Sequence, residues 1–341
     1  MTTGAKARRS QLLSTYGIGG LFPSETTSFM IAGLDEWNED RAAPVSEPRL
    51  ARSLGVQELR MPPAGTARDV PVIRFPVTQV CPACRRIGPL RELSKDWNVA
   101  KCAQCKEKAQ LTPFRLIVVC QKGHIDEFPY YRWLHKGQQA GSGEHKMKMR
   151  SLGRTSSLAD LVLECSCGVE PRSLDGTFGP NALAEYGKCR GTRPWLGPDH
   201  SEECALVPRV LQRGASNVWL PAVRSAISIP PFSEALAKFV DKCWLLLEDP
   251  DLVNDKVLAK VAAKSNGKFT AEQVRGEAER RWSDSEDSDL DEWELRKQEF
   301  QALIEGREEE GPDSDFVCLK ESVSPDLPEF VTDIRKGTRL R

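Results

Sequence analysis

Two short cysteine motifs decide the fold: V-C-P-A-C at residues 80–84 and, after a spacer of 17 residues, C-A-Q-C at residues 102–105. Each Cys-x-x-Cys pair turns tightly enough to aim two thiolates at one point, and the spacer returns the chain as a hairpin. Four sulfurs about 2.3 Å from one ion complete a tetrahedral shell without an open position. The pattern therefore predicts a zinc ribbon held by Cys81, Cys84, Cys102 and Cys105. A redox pair is the alternative, but such a motif stands singly beside a βαβ pattern.

Composition sets the class of protein. The chain has 341 residues, which is more than one ordinary core and suggests two or three units. Its apolar runs are far shorter than the roughly 20 residues that a membrane-spanning helix needs, and no apolar stretch follows the basic N-terminus as in a secretory signal. We therefore expect a cytoplasmic protein. Its 11 cysteines, grouped in motifs, then favour metal binding over disulfides.

Charge is distributed unevenly along the chain. Residues 1–220 contain 30 Lys and Arg against 22 Asp and Glu, whereas the remainder has a net charge of −9. A basic front half facing a polyanion and an acidic rear half facing protein would explain this asymmetry. The excess of +8 over 220 residues is modest, however, and many such surfaces bind nothing.

The segment after the ribbon offers further ligand types. Cys120 and His124 form either another half-site for metal or a polar shell around the ribbon. Equally, they are a buried thiol and a hydrogen-bonded histidine. Asp126 is expected to cap a helix whose aromatic residues, between 128 and 133, belong to the core more than to a stacking platform for bases.

A second group of cysteines follows, and it is less regular. Cys165 and Cys167 form a Cys-x-Cys motif, while Cys189 and Cys204 flank a segment rich in glycine and proline that needs a staple. Spacing alone leaves metal binding and isolated thiols equally open here. We assign these four cysteines to a second zinc, which gives about two zinc ions per chain.

Basic residues near these motifs are candidates for contact with nucleic acid. Residues 136–157 read as a mobile loop, where phosphate contact and a solvated linker are both open. Scattered Lys and Arg pairing with phosphates would give weak, sequence-independent and salt-sensitive binding. The candidates are Lys146, Lys148, Arg150, Arg190, Arg193 and Arg213.

From residue 233 onward the apolar period becomes helical. Ser233 is expected to cap a helix ending before Pro250, and Thr270-Ala-Glu-Gln273 has the form of a capping box. The apolar face of a last long helix is indicated by Leu290, Trp293, Phe300, Leu303 and Ile304. Near the N-terminus, the glycines of G-I-G-G at residues 17–20 lack the lysine of a nucleotide loop and more simply serve a turn.

These patterns predict an α+β protein with small mixed sheets, stapled by modules of the zinc-ribbon type and followed by a mainly helical segment. The expected divisions are a glycine-rich strand and loop region at 1–75, the ribbon with its following helix at 76–150, and the second cysteine module at 151–232. A helical region with an acidic linker follows at 233–313. The final segment is 314–341.

Several blocks together carry a family resemblance. They are R-R-S-Q-L-L-S-T-Y-G-I-G-G-L, M-I-A-G-L-D-E-W, C-Q-K-G-H-I-D-E-F-P, G-K-C-R-G-T-R-P-W-L-G and L-Q-R-G-A-S-N-V-W-L-P with S-A-I-S-I-P-P-F. In this order they resemble the DrmB family, the helicase-associated subunit of the DISARM anti-phage defence system.

The resemblance implies an accessory protein without catalytic residues, which partners a superfamily-two DNA helicase and engages phage DNA. Family members continue beyond the equivalent of Arg341 into a further four-cysteine module. We therefore expect a second polypeptide to carry that C-terminal half and to bind this chain tightly.

Two other classes remain as alternatives. One is a stand-alone zinc-ribbon protein that binds nucleic acid in transcription or repair. The other is a metalloenzyme in which Cys120, His124 and a carboxylate hold an open zinc. Against the enzyme, the sequence contains no His-Glu-x-x-His, no His-x-Glu with a distal Cys-x-x-Cys and no Walker lysine.

Overall fold

The computed structural model describes residues 7–24, 27–66, 68–138, 144–153, 157–229, 235–286, 291–305, 316–328, 331 and 334–339. The strands are β1 (Leu21–Pro23), β2 (Ser28–Ile31), β3 (Pro44–Val45), β4 (Leu59–Arg60), β5 (Val72–Arg74), β6 (Thr78–Val80), β7 (Ile87–Pro89), β8 (Thr112–Pro113), β9 (Leu116–Val119), β10 (Ile125–Glu127), β11 (Met147–Ser151), β12 (Leu161–Cys165), β13 (Arg172–Ser173), β14 (Arg209–Gln212), β15 (Phe316–Glu321) and β16 (Ile334–Arg339). The α-helices are α1 (Arg9–Ser14), α2 (Pro48–Ser53), α3 (Leu90–Leu93), α4 (Tyr130–Leu134), α5 (Ala235–Lys242), α6 (Asp255–Ala263), α7 (Ala271–Glu286) and α8 (Glu292–Glu305).

The chain divides into two compact units. Unit 1 comprises Met1–Ala42 and Pro62–Ala222, and unit 2 comprises Ala43–Met61 and Val223–Arg341. Unit 1 contains small sheets, and unit 2 contains most of the helix. The predicted α+β class, with small sheets followed by a helical part, is confirmed.

The described residues of unit 1 form four three-stranded sheets whose strand pairs are all antiparallel. Their orders are β1-β2-β5, β7-β6-β8, β10-β9-β14 and β11-β12-β13. The last three sheets share a core with α4, in which Phe114, Phe128, Trp133 and Leu163 are buried. The aromatic residues Phe128 and Trp133 are therefore core, as the sequence favoured.

The glycines near the N-terminus make room for two tryptophans of unit 1. A Cβ atom on Gly17 would lie 2.8 Å from the indole of Trp219, and one on Gly19 would lie 3.0 Å from that of Trp195. Gly19 also has a φ of +75°, which glycine adopts without strain. The turn expected at these glycines is present, and close packing against Trp195 and Trp219 is a further reason for them.

Unit 2 has a helical core. Val240, Leu247, Leu258, Val261 and Val274 are each at most 1% exposed and pack together between α5, α6 and α7. The predicted capping box on α7 is confirmed, because the Thr270 N–H donates to Gln273 Oε1 and the Gln273 N–H to Thr270 Oγ1. The expected Ser233 cap lies outside the described residues.

The prediction for the apolar face of α8 was wrong. Trp293, Phe300 and Ile304 are 75%, 65% and 50% exposed and Leu303 is half-buried, whereas Leu295 and Glu299 are buried. Leu290 lies outside the described residues. Glu299 turns inward because its carboxylate accepts hydrogen bonds from the Ile227 backbone N–H and from Arg296. Two polar partners thus select the buried side of this helix against the apolar pattern.

Two local predictions in unit 1 also fail. Residues 147–151 form β11, paired along its length with β12, and are not a mobile loop. Asp126 lies in β10, where its carboxylate pairs with Arg190, and does not cap α4. In both places a strand partner brought by the tertiary fold overrides the local composition.

Candidate metal centres

The first cluster consists of the two Cys-x-x-Cys knuckles. The Sγ atoms of Cys81 and Cys105 are 3.8 Å apart, and those of Cys84 and Cys102 are 3.7 Å apart. A tetrahedron with metal–sulfur bonds of about 2.3 Å has sulfur–sulfur edges of about 3.8 Å. The four thiols are therefore placed as ligands of one ion and are too far apart for disulfides.

Local backbone geometry forms each knuckle. The N–H of Cys84 points at Cys81 Sγ over 3.4 Å, and that of Gln104 at Cys102 Sγ over the same distance. Burial raises the pKa of Cys102 to about 12, aided by hydrogen bonds with the other three sulfurs. Without a metal this thiol keeps its proton at neutral pH, so binding an ion here must release protons.

The second cluster joins the β9–β10 turn to a distant loop. Cys120 and His124 lie on the turn, where Cys120 N–H donates to the His124 carbonyl. Cys189 and Cys204 complete a set whose ligand atoms all lie within 4.8 Å of one another. His124 Nδ1 is 3.2 Å from Cys120 Sγ and 3.5 Å from Cys189 Sγ. Nδ1 is thus the nitrogen available to a metal.

A glycine permits the loop between Cys189 and Cys204. A Cβ atom on Gly191 would lie 1.7 Å from the Glu202 carbonyl oxygen, and its φ is +67°. The Glu202 N–H in turn donates to the Gly191 carbonyl. No other residue type fits this crossing, which brings the two cysteines together.

The other nitrogen of His124 is held by a carboxylate. His124 Nε2 is 2.5 Å from Glu202 Oε1, and Arg193 Nη2 is 3.2 Å from the same oxygen. The hydrogen bond with His124, and secondarily the positive charge of Arg193, lower the pKa of Glu202. A carboxylate placed in this way fixes the tautomer and ring orientation of a metal-binding histidine.

The third cluster consists of His135, His145, Cys165 and Cys167. His135 directly follows α4, and its Nδ1 lies 2.9 Å from the Tyr131 carbonyl, which leaves Nε2 facing Cys167 Sγ at 3.4 Å. His145 Nδ1 is 3.3 Å from Cys165 Sγ. The hairpin of β11 and β12 brings His145 and Cys165 together.

The predicted second zinc site is therefore corrected. Cys165 and Cys167 lie in the third cluster, whereas Cys189 and Cys204 lie in the second. Cys120 and His124, left open by the sequence, belong to the second cluster as ligand candidates. The described residues thus offer three candidate sites where two were expected.

Sequence reasoning missed His135 and His145. Their spacing from Cys165 and Cys167 follows no short motif. One signal was available: the chain has only four histidines, and all four lie among the cysteine motifs of residues 81–204.

The candidate nucleic-acid residues mostly have partners within the chain. Lys146 pairs with Glu144, Arg150 with Glu164, Arg190 with Asp126, and Arg193 with Glu202. Burial lowers the pKa of Arg213, whose Nε is buried without a hydrogen-bond partner in the described part of the chain. Lys148 is exposed on β11.

A cavity of about 370 Å³ lies beside the second cluster. Its apolar wall includes Val118, Phe128, Leu183 and Tyr186, and it also contacts His124 and Cys189. The lining further includes Tyr130 and Arg132 of α4, together with Lys188 and Arg190, which flank Cys189.

Comparison with known proteins identifies the class. The sequence model of a family described as a domain of unknown function (DUF8724) matches residues 8–220, and the chain belongs to that family. All twelve ligand residues of the three clusters lie within the matched range.

The chain is also similar to a protein of a named defence system. The DISARM protein DrmB of Bacillus paralicheniformis is 35% identical to this chain over 213 residues, which is 61% of this chain and 37% of that protein. The resemblance to DrmB given by the sequence blocks is confirmed. The chain matches well under half the length of this relative.

Within the described residues, no helix is long and apolar enough to cross a membrane.

Proposed function

We propose that this protein is a non-catalytic, zinc-binding subunit of a DISARM-type anti-phage defence complex. The observation that carries the proposal is the 35% identity to a DISARM protein DrmB over 213 residues. Its name places that relative in the defence system. The family match to residues 8–220 contains every candidate metal ligand.

Zinc is the metal that suits these ligands best. Four thiolates, three thiolates with one imidazole, and two of each are all tetrahedral zinc sets, and soft sulfur ligands disfavour magnesium and calcium. Each cluster supplies four protein ligands, so no position remains for a water or substrate. Closed shells support a structural role and a protein without an active metal site.

The proposed partners are a superfamily-two DNA helicase and DNA, as the resemblance to DrmB implies. The net positive charge of residues 1–220 suits contact with phosphates. The acidic remainder suits contact with protein. The location expected for such a complex is the cytoplasm.

Co-purification tests the partnership. Tagged protein is expressed together with a superfamily-two helicase of a DISARM system, and the complex is isolated with and without DNA. Joint elution, together with loss of phage protection when this protein is deleted, is the expected result. Binding to DNA without any helicase association would instead favour a stand-alone zinc-ribbon protein.

Elemental analysis tests the metal. Protein purified without chelators is expected to contain about three zinc ions per chain, one for each cluster. Iron in place of zinc, or an absence of metal, would contradict the assignment.

A further inference from the structure

We infer that the cavity beside the second cluster binds a nucleotide, with the base against the apolar wall and the phosphate at the basic mouth. The inference deepens the proposed function and rests on it, because it names the part of DNA that unit 1 contacts. It is carried by the size, rigidity and charge of the cavity.

The size and lining of the cavity suit a nucleotide base. At about 370 Å³ the cavity falls in the range of small-molecule sites, roughly 300–1,000 Å³. Phe128 and Leu183 are at most 2% exposed, and with Val118 they give an apolar surface that suits a planar ring. Bases drawn out of a strand are commonly held against aromatic and apolar side chains.

The walls of the cavity are fixed by two metal clusters. The segment ending in Cys189 is held at the second cluster, and α4 is followed directly by His135 of the third. Between them, Arg132 Nη1 donates to the Tyr186 carbonyl over 2.9 Å. A cavity held from both sides is preformed, which reduces the entropic cost of binding.

Charge selects an anion. The two lining carboxylates are satisfied internally: Asp126 pairs with Arg190, and Glu127 accepts from the backbone and hydroxyl of Thr78. Lys188 and Arg132 are exposed and form no ion pair with the described residues. The mouth therefore presents two cations whose charge is not neutralised by a neighbouring acid.

A nucleotide can come from two sources, a free nucleotide or a single-stranded segment of DNA. In duplex DNA the bases are stacked and paired, so entry would require unpairing at a cost of a few kcal/mol. We therefore expect single strands to bind better than duplexes of equal length. Free deoxynucleoside monophosphates should bind weakly and compete.

The test uses the zinc-loaded full chain and a short oligothymidylate with one 5-iododeoxyuridine. After irradiation, mass spectrometry is expected to locate the crosslink in residues 125–135 or 183–190. Unmodified deoxynucleoside monophosphates should compete for the cavity and suppress the crosslink. Crosslinks confined to other segments would overturn the inference while leaving DNA binding intact.

Charge variants give an independent measurement. Lys188→Glu is expected to weaken binding of the oligonucleotide about fivefold to tenfold and to lower the salt slope by about one. Lys95→Glu is the matched control, because Lys95 is exposed in unit 1 and does not line the cavity. Equal losses in both variants would overturn the inference.

Free monophosphates separate the two proposals. If they bind at the cavity but DNA does not, the cavity assignment holds and the proposed contact with DNA fails. If neither binds, or if an acidic peptide with an aromatic residue occupies the cavity instead, the nucleotide inference is wrong.

Discussion

The two units of this chain are stabilised in different ways. In unit 2, α5, α6 and α7 bury a continuous group of aliphatic side chains. In unit 1, the strands are two to five residues long, and around the first cluster the thiols of Cys81 and Cys102 are themselves members of the apolar core. Such short elements bury little surface each, so we propose that metal crosslinks at the three clusters have the stabilising role that helix packing has in unit 2.

Removing metal should produce the largest difference between the units. A structural zinc site contributes on the order of 10 kcal/mol to local folding. We expect a strong chelator to unfold the segment 81–204 and leave the helices of 235–286 folded. Limited proteolysis with mass spectrometry checks this through new cleavage sites in the first range alone.

Cysteine variants provide the matched comparison. Cys102→Ser should lose one metal and make unit 1 sensitive to protease. Cys243→Ser removes a buried thiol from the core of unit 2 and should keep the full metal content. If the units lost structure together on chelation, the proposed division of stabilising forces would be refuted.

The partition of cysteines between the second and third clusters gives the next largest effect. Cys165→Ser and Cys189→Ser should each remove one zinc, and the double variant should remove two, because the residues lie in different clusters. A single site shared by Cys165, Cys167, Cys189 and Cys204 would lose only one ion in the double variant. Elemental analysis of the three proteins distinguishes the arrangements.

The first cluster was predictable from sequence and the other two were not. Cys81, Cys84, Cys102 and Cys105 form two local knuckles, so spacing alone identifies them as partners. The third cluster, by contrast, is nested in sequence between the two halves of the second, Cys120 with His124 and Cys189 with Cys204. Grouping neighbouring cysteines along the chain then joins residues of different sites.

For the fold as well, the sequence predicted local features but not those that depend on distant residues. The capping box at Thr270 follows from local pattern, and it is present. The buried side of α8 depends instead on two partners of Glu299: Ile227, from elsewhere in unit 2, and Arg296, from the preceding turn of the helix. No periodicity of apolar residues contains that information.

A smaller effect is expected from the carboxylate behind His124. Glu202→Gln keeps the side-chain shape but weakens its hold on the histidine, and loss of such a partner typically costs 10–100-fold in metal affinity. Glu203→Gln is the control, because Glu203 is an exposed neighbour outside the cluster. Competition with a chromophoric chelator measures the affinity of the weakest ion in each variant. Equal affinities would mean that Glu202 has no positioning role.

The smallest effect concerns the basic strand β11. Lys148 lies opposite Glu164 in the ladder, but the Glu164 carboxylate is already paired with Arg150. Lys148 therefore keeps its charge for an external phosphate, whereas Lys146 shares its charge with Glu144. We expect Lys148→Gln to weaken DNA binding about threefold and to reduce the salt slope by about one, since one phosphate contact is lost.

The control for this prediction is Lys106→Gln, which removes the same charge from an exposed position of unit 1 outside β11. Fluorescence anisotropy over a range of salt concentrations gives both affinity and slope. A contact at Lys148 changes the slope in that variant alone, because counterion release depends on the phosphates that are neutralised. An identical change in both variants would show that only the overall charge of unit 1 matters and that β11 does not contact DNA.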